Sequence, residues 1–218
     1  MSLTKFENRR WSSAPPKSEI AFRHRAALSF ADRGPVIDLG CGNGIFLQLL
    51  KEKNIAVEGV DISDEAVAAC RRDGLTVVKY DLEEGKLPYE DNKFAFAVIL
   101  DNLEHLFNPS ELLVEAKRVA EGIIISVPNF SSLPARLQMF CGRVPENNTP
   151  NKGHRYWFNY YILSDMVNGL NLKIEDIKMN TIWEDKFIIG KLMKFLCRVW
   201  PNLFALSFVV KLKNEKNT

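Results

Sequence analysis

The chain has 218 residues, 46% of them hydrophobic, which suits one domain with elaborations and a sizeable buried core. Its formal charge of +2 argues against the strongly basic domain expected of a nucleic-acid binder. Four scattered cysteines without a C-x-x-C pair indicate neither a zinc site nor a disulfide scaffold. Charge is uneven, with basic flanks around an acidic body over about 34–135. The first residues lack a continuous apolar run, so no signal peptide is expected and the cytoplasm is the default location.

Residues 1–17 end in Ser12-Ser13-Ala14-Pro15-Pro16, which predicts an irregular lead-in. From Ser18, placed to cap, the run to Phe30 reads as an amphipathic helix stopped near Gly34-Pro35. Residues 1–34 are thus an N-terminal segment and helix that could cap a site, with His24 a packing residue. The main domain is expected over 35–218.

Val36-Ile37-Asp38-Leu39 is a short apolar run that stops at Gly40-Cys41-Gly42-Asn43-Gly44 and continues into apolar Ile45–Leu50. Strand, glycine turn and helix predict the first βα unit of an open sheet, with helix N–H groups aimed at a ligand. The spacing G-x-G-x-G differs from the dinucleotide G-x-G-x-x-G, and Asp38 would repel a pyrophosphate while suiting a cationic ligand. Asp38 through Gly44 resembles motif I of class I S-adenosylmethionine (SAM) methyltransferases, with Cys41 a small filler. A nicotinamide dehydrogenase is disfavoured on the same residues.

The second strand, Ile55–Val60, ends at Asp61, with Ile62 beside it, and Ser63 caps the next helix. A carboxylate placed there accepts hydrogen bonds from ribose hydroxyls. A third strand over Leu75–Tyr80 ends at Asp81-Leu82, which the resemblance places at the adenine. Phe94–Leu100 is continuously apolar, as a central parallel strand should be, and opens into Asp101-Asn102-Leu103-Glu104-His105. That L-E-H element before Pro109 resembles motif IV of small-molecule methyltransferases, whose strand end faces methyl donor and acceptor. His105, with Glu104, is the candidate general base or acceptor-orienting group. The same stretch lacks the N/D-P-P-Y pattern of enzymes that methylate a flipped base.

The fifth strand ends at Pro128-Asn129. A short helix and a long polar loop follow as an insertion at about 130–160, leading into His154-Arg155-Tyr156-Trp157. Pro128-Asn129-Phe130, Arg136-Leu137-Gln138 and Gly142-Arg143-Val144-Pro145 resemble the MetW family of methionine biosynthesis. His154, Arg155, Tyr156 and Trp157 are candidates for a substrate wall, with a helix after them over Ser164–Leu170. Strands over Leu172–Met179 and Leu203–Leu212 would form the closing antiparallel hairpin. Phe187–Trp200 between them is too short and too charged for a bilayer span; burial or a homodimer contact is expected.

The expectation is an α/β, Rossmann-like, doubly wound seven-stranded sheet, mostly parallel with a C-terminal antiparallel hairpin. The resemblance implies a methyltransferase that binds SAM, releases S-adenosylhomocysteine (SAH), uses no metal, and acts on a small molecule rather than DNA. Two alternatives stand: a MetW-like SAM-binding partner or regulator linked to a homoserine acyltransferase, or an RNA or protein methyltransferase.

Overall fold

Residues 3–12, 20–183 and 186–214 are described in the computed structural model. Two helices, α1 (Leu3–Ser12) and α2 (Phe22–Phe30), precede the first strand β1 (Val36–Leu39). The alternation then runs α3 (Ile45–Glu52), β2 (Val57–Asp61), α4 (Asp64–Arg72), β3 (Val77–Lys79), β4 (Phe94–Leu100), α5 (Pro109–Val119) and β5 (Ala120–Pro128). An insertion follows with α6 (Leu133–Phe140), and the chain closes with α7 (Tyr160–Gly169), β6 (Leu172–Thr181), α8 (Phe187–Val199), α9 (Pro201–Phe204) and β7 (Ala205–Asn214).

The strands form one sheet in the order β3-β2-β1-β4-β5-β7-β6. The first five strands pair in parallel, and β7 runs antiparallel between β5 and β6. This is the expected seven-stranded architecture, closing pair included. The apolar runs of β1 and β4 are explained by burial on both faces. Ala27 and Phe30 of α2 with Phe46 and Leu50 of α3 cover one face. Leu112 and Leu113 of α5 with Leu163 and Val167 of α7 cover the other.

Several local expectations are corrected. Residues 3–12 are helical, not an irregular lead-in. Ten residues are too few for a stable isolated helix, so tertiary contacts must hold α1. Asn8 supplies them: its Oδ1 accepts from Ser63 Oγ and the Asp64 amide, both at 2.9 Å, and joins α1 to the N-terminus of α4. Ser18 lies outside the described residues, and α2 begins only after extended Ala21. Helix α7 starts four residues ahead of Ser164, because Asn159 Oδ1 accepts from the Ile162 amide at 3.0 Å and caps it. Two single turns, Glu146–Asn148 and Pro150–Lys152, punctuate the loop expected to be wholly irregular.

Asn129 ties the insertion to the sheet. Wholly buried, it donates from Nδ2 to the Ala205 carbonyl at 2.7 Å and accepts at Oδ1 from the Ser131 amide at 2.9 Å. In α8, Gly190, Met193 and Cys197 face inward, while Ile188, Leu192, Phe195 and Val199 form an exposed apolar stripe at helical spacing. No described helix is long and apolar enough to cross a membrane.

Candidate active site

The C-terminal ends of β1 to β5 open on one cavity of about 1080 Å³, at the edge where open α/β sheets bind ligands. Its lining includes Asp38, Gly40, Cys41, Gly42, Asp61, Ile62, Asp81, Leu82, Asp101, Asn102, Glu104, His105 and His154. Most candidate residues of the sequence therefore converge on one space. Gly44 is the exception among the cofactor candidates. It caps α3, and a side chain there would strike Cys70 Sγ and Leu75 Cδ1 at 2.7 Å, so it packs α3 against α4.

Two glycines are required by close approach. At Gly40, with φ +86°, a Cβ would lie 1.8 Å from Asn102 Nδ2, which donates to the Leu39 carbonyl at 3.2 Å. At Gly42, with φ +52°, it would lie 2.4 Å from the Trp11 ring. The indole of α1 thus rests on the glycine turn.

The acids at the strand ends differ in their surroundings. Asp38 is buried, and its Oδ1 has no hydrogen-bond partner among the described residues. Burial first and the neighbouring Asp61 second raise its carboxyl to about pKa 8. Asp61 instead accepts from the Gly42 amide at Oδ2 and the Ser63 amide at Oδ1, both at 2.8 Å. Asp81 accepts from the Glu83 amide at 2.9 Å, an Asx turn at the end of β3. Asp101 holds a left-handed φ of +48°. Ser126 fixes it there: the Asp101 amide donates to Ser126 Oγ at 2.9 Å, and that hydroxyl donates back to Asp101 Oδ1. Arg23 of α2 lies 3.3 Å from the other Asp101 oxygen. The Cys41 thiol is held well above its ordinary pKa by its hydrogen bond with Cys70 and by burial, which suits a packing residue rather than a nucleophile.

Glu104 and His105 sit in a one-turn 3₁₀ helix, Leu103–His105, and both are buried. The amides of Arg155 and Tyr156 donate to the Glu104 carbonyl at 2.7 and 3.0 Å. That double bond sets the insertion over the end of β4 and places the His154 ring 4.9 Å from that of His105. The four residues of the expected substrate wall then diverge. His154 lines the cavity, whereas Arg155 lies over the Phe107 ring and near Glu83, Tyr156 packs on Phe158, and Trp157 donates to Asn148 Oδ1.

Phe6, Glu7, Arg9 and Trp11 of α1, Arg23 and His24 of α2, and Asn147, Asn151 and Lys152 also line the cavity. Sequence reasoning missed the α1 residues because the turn formers Ser12-Ser13-Ala14-Pro15-Pro16 mark the whole lead-in as irregular. The clearest signal was the indole of Trp11 in a polar stretch. His24 accepts from the Ala21 amide at Nδ1, and burial with Arg23 and Arg25 nearby lowers it to about pKa 4.

Comparison with known proteins agrees with this geometry. Residues 25–209 match the family described as methionine biosynthesis protein MetW. A Rhodopirellula baltica protein named "Bifunctional methionine biosynthesis protein MetXA/MetW" is 30% identical over 160 residues, 65% of this chain and 25% of that protein. A Methylococcus capsulatus ubiquinone biosynthesis O-methyltransferase is 28% identical over 44% of this chain and 43% of its own length. The chain therefore spans less than half the length of these relatives. Among solved structures, magnesium protoporphyrin IX methyltransferase of Synechocystis with bound SAH superposes with a TM-score of 0.68 at 15% identity, covering 97% of both chains. A SAM-dependent methyltransferase of Thermotoga maritima gives 0.64 at 18% identity over 88% of this chain and 87% of its own. With this fold and a match over most of its length, the chain belongs to the MetW family, in the class I SAM-methyltransferase architecture.

Proposed function

We propose that the protein is a SAM-dependent methyltransferase acting on a small-molecule acceptor. The observation that carries this reading is the unsatisfied Oδ1 of buried Asp38 beside the glycine turn. A buried carboxylate without a partner is costly, and a bound ammonium offsets that cost. The other residues fit the same ligand. Asp61, at the end of β2, would accept from a ribose diol, and Asp81 and Leu82, which line the same cavity, would meet an adenine. Arg9 and Arg23 add positive charge for a carboxylate. The partly exposed Arg23–Asp101 pair is worth about 0–1 kcal/mol, so a ligand can reorganise it at little cost.

When bound, SAM supplies a methyl group activated by a sulfonium. The chain's own contribution is alignment and exclusion of water, for which about 7–11 kcal/mol of barrier lowering is available. Helix α1 and the loop before His154 cap the cavity, with Phe6 against Gly153 and Trp11 against Gly42. His105 and Glu104 hold an acceptor hydroxyl or take its proton. The formal charge of +2 offers no polyanion footprint, which favours a small molecule over RNA. The test is transfer of labelled methyl from SAM to a panel of hydroxyl, amine and carboxylate acceptors. Transfer lost in Asp38→Ala supports the reading, and SAM binding without turnover on any class opposes it.

A second reading is a SAM-binding partner protein. It is favoured by the exposed stripe Ile188, Leu192, Phe195 and Val199 on α8 and by the relative whose name joins MetW to MetXA. The stripe is also where a second copy of the chain would pack.

A further inference from the structure

We propose that Glu104, His105 and His154 form a divalent-metal site that opens on the cavity and takes an oxygen of the acceptor as a further ligand. One ligating atom from each residue lies within 4.8 Å of the other two, and all three residues line the cavity. This departs from the sequence reading, in which the lack of cysteine pairs indicates no zinc site and no metal is expected. This donor set is two imidazoles and a carboxylate, and it is assembled by the fold from two distant segments.

The surroundings of the histidines support ligation. His105 Nδ1 lies 3.3 Å from the Gly153 carbonyl, and His154 Nδ1 lies 2.6 Å from the Asn147 carbonyl. A carbonyl oxygen only accepts, so each Nδ1 carries a hydrogen, which leaves Nε2 as the ligating atom of each ring. A backbone carbonyl that fixes the tautomer and aims the ring is the usual outer support of a metal-bound histidine. The rings are further held by backbone and packing. The Arg155 and Tyr156 amides bind the Glu104 carbonyl, and Phe130 meets the His154 ring edge-on at 5.3 Å.

Two nitrogens and one carboxylate oxygen suit zinc, iron(II) or manganese, and three protein ligands leave a position open. Bonds of about 2.0–2.2 Å hold donors about 3.4 Å apart in a tetrahedral site, and with all three atoms already within 4.8 Å of one another only a small side-chain movement is needed to seat an ion. The loop that carries His154, built of two single turns, can supply that movement. The role given to the metal rests on the methyltransferase reading: it lowers the pKa of a bound hydroxyl, whose proton leaves to solvent. Glu104 and His105 then act as ligands instead of as a bare base. The preferred acceptor class is an oxygen nucleophile, with a second oxygen able to chelate.

The test is titration of the metal-stripped full chain with cobalt(II), in the absence of SAM, followed by its visible absorption bands. One equivalent should give the bands of a low-coordinate nitrogen–oxygen site, and zinc should displace it. His154→Ala sits in the loop and should keep the native circular dichroism while weakening cobalt binding by about tenfold or more; Glu104→Gln should shift the bands. No stoichiometric binding, or an unchanged affinity in folded His154→Ala, overturns the inference. SAM binding by calorimetry without cobalt binding removes this site and leaves the proposed function standing, whereas cobalt binding without SAM binding does the reverse.

Discussion

The Gly42 amide donates to Asp61 Oδ2 at 2.8 Å, so the glycine turn after β1 and the carboxylate ending β2 form one unit. The Ser63 amide holds the other oxygen at the same distance. Asp61→Asn turns an amino group toward one of these two buried donors. A buried donor left without an acceptor costs about 1–3 kcal/mol, and thermal melting should show that loss in the ligand-free protein.

Gly42→Ala combines a left-handed φ with a collision on Trp11. The strain alone is about 1–2 kcal/mol, and displacement of the indole adds to it. In a double-mutant cycle, Trp11→Ala should relieve the collision but not the strain. A coupling above about 0.5 kcal/mol in melting experiments is expected, and simple additivity would separate α1 from the turn.

Asp38 and His24 give opposite pH dependences. The folded Asp38 carboxyl titrates at about 8, against about 3.9 in the unfolded chain. Its stabilising effect is complete below the unfolded value and is lost as pH rises through 8. His24 titrates at about 4 when folded, against about 6.5 unfolded, so its effect is lost as pH falls from 6.5 through 4. The two oppose each other below pH 6.5, and of the two only Asp38 acts from 6.5 to 8. Urea unfolding should show the protein less stable at pH 8 than at 6.5 by about 1–2 kcal/mol, since one proton gives at most about 1.4 kcal/mol per pH unit. Asp38→Asn should flatten that window.

Asn129→Ala removes the donor to the Ala205 carbonyl and the acceptor of the Ser131 amide. One buried and one half-buried backbone group lose their partner, and a loss of about 1–3 kcal/mol is expected. Hydrogen exchange should quicken first in the insertion and the start of β7. Uniform quickening throughout would mean that Asn129 does not tether them specifically.

The sheet was legible because its pattern is local: apolar runs in β1 and β4, then turns that need glycine or acid. The edge that carries the cavity followed, since Asp38, Asp61, Asp81 and Asp101 each end or follow a strand. Helix α1 was not legible, because its order comes from Asn8 meeting Ser63 and Trp11 meeting Gly42, contacts between distant segments. The aromatic run 154–157 could be identified as important but not sorted. Only the bond of Arg155 and Tyr156 to Glu104 decides that His154 faces the cavity while its three neighbours pack elsewhere.

The central claim is that the strand ends of β1 and β2 hold SAM, and calorimetric titration of SAM and SAH tests it most directly. Wild-type protein should bind both with micromolar affinity, and Asp61→Ala, checked as folded by circular dichroism, should lose at least about tenfold. Absence of binding to folded wild-type protein, or equal binding by the variant, would contradict the account.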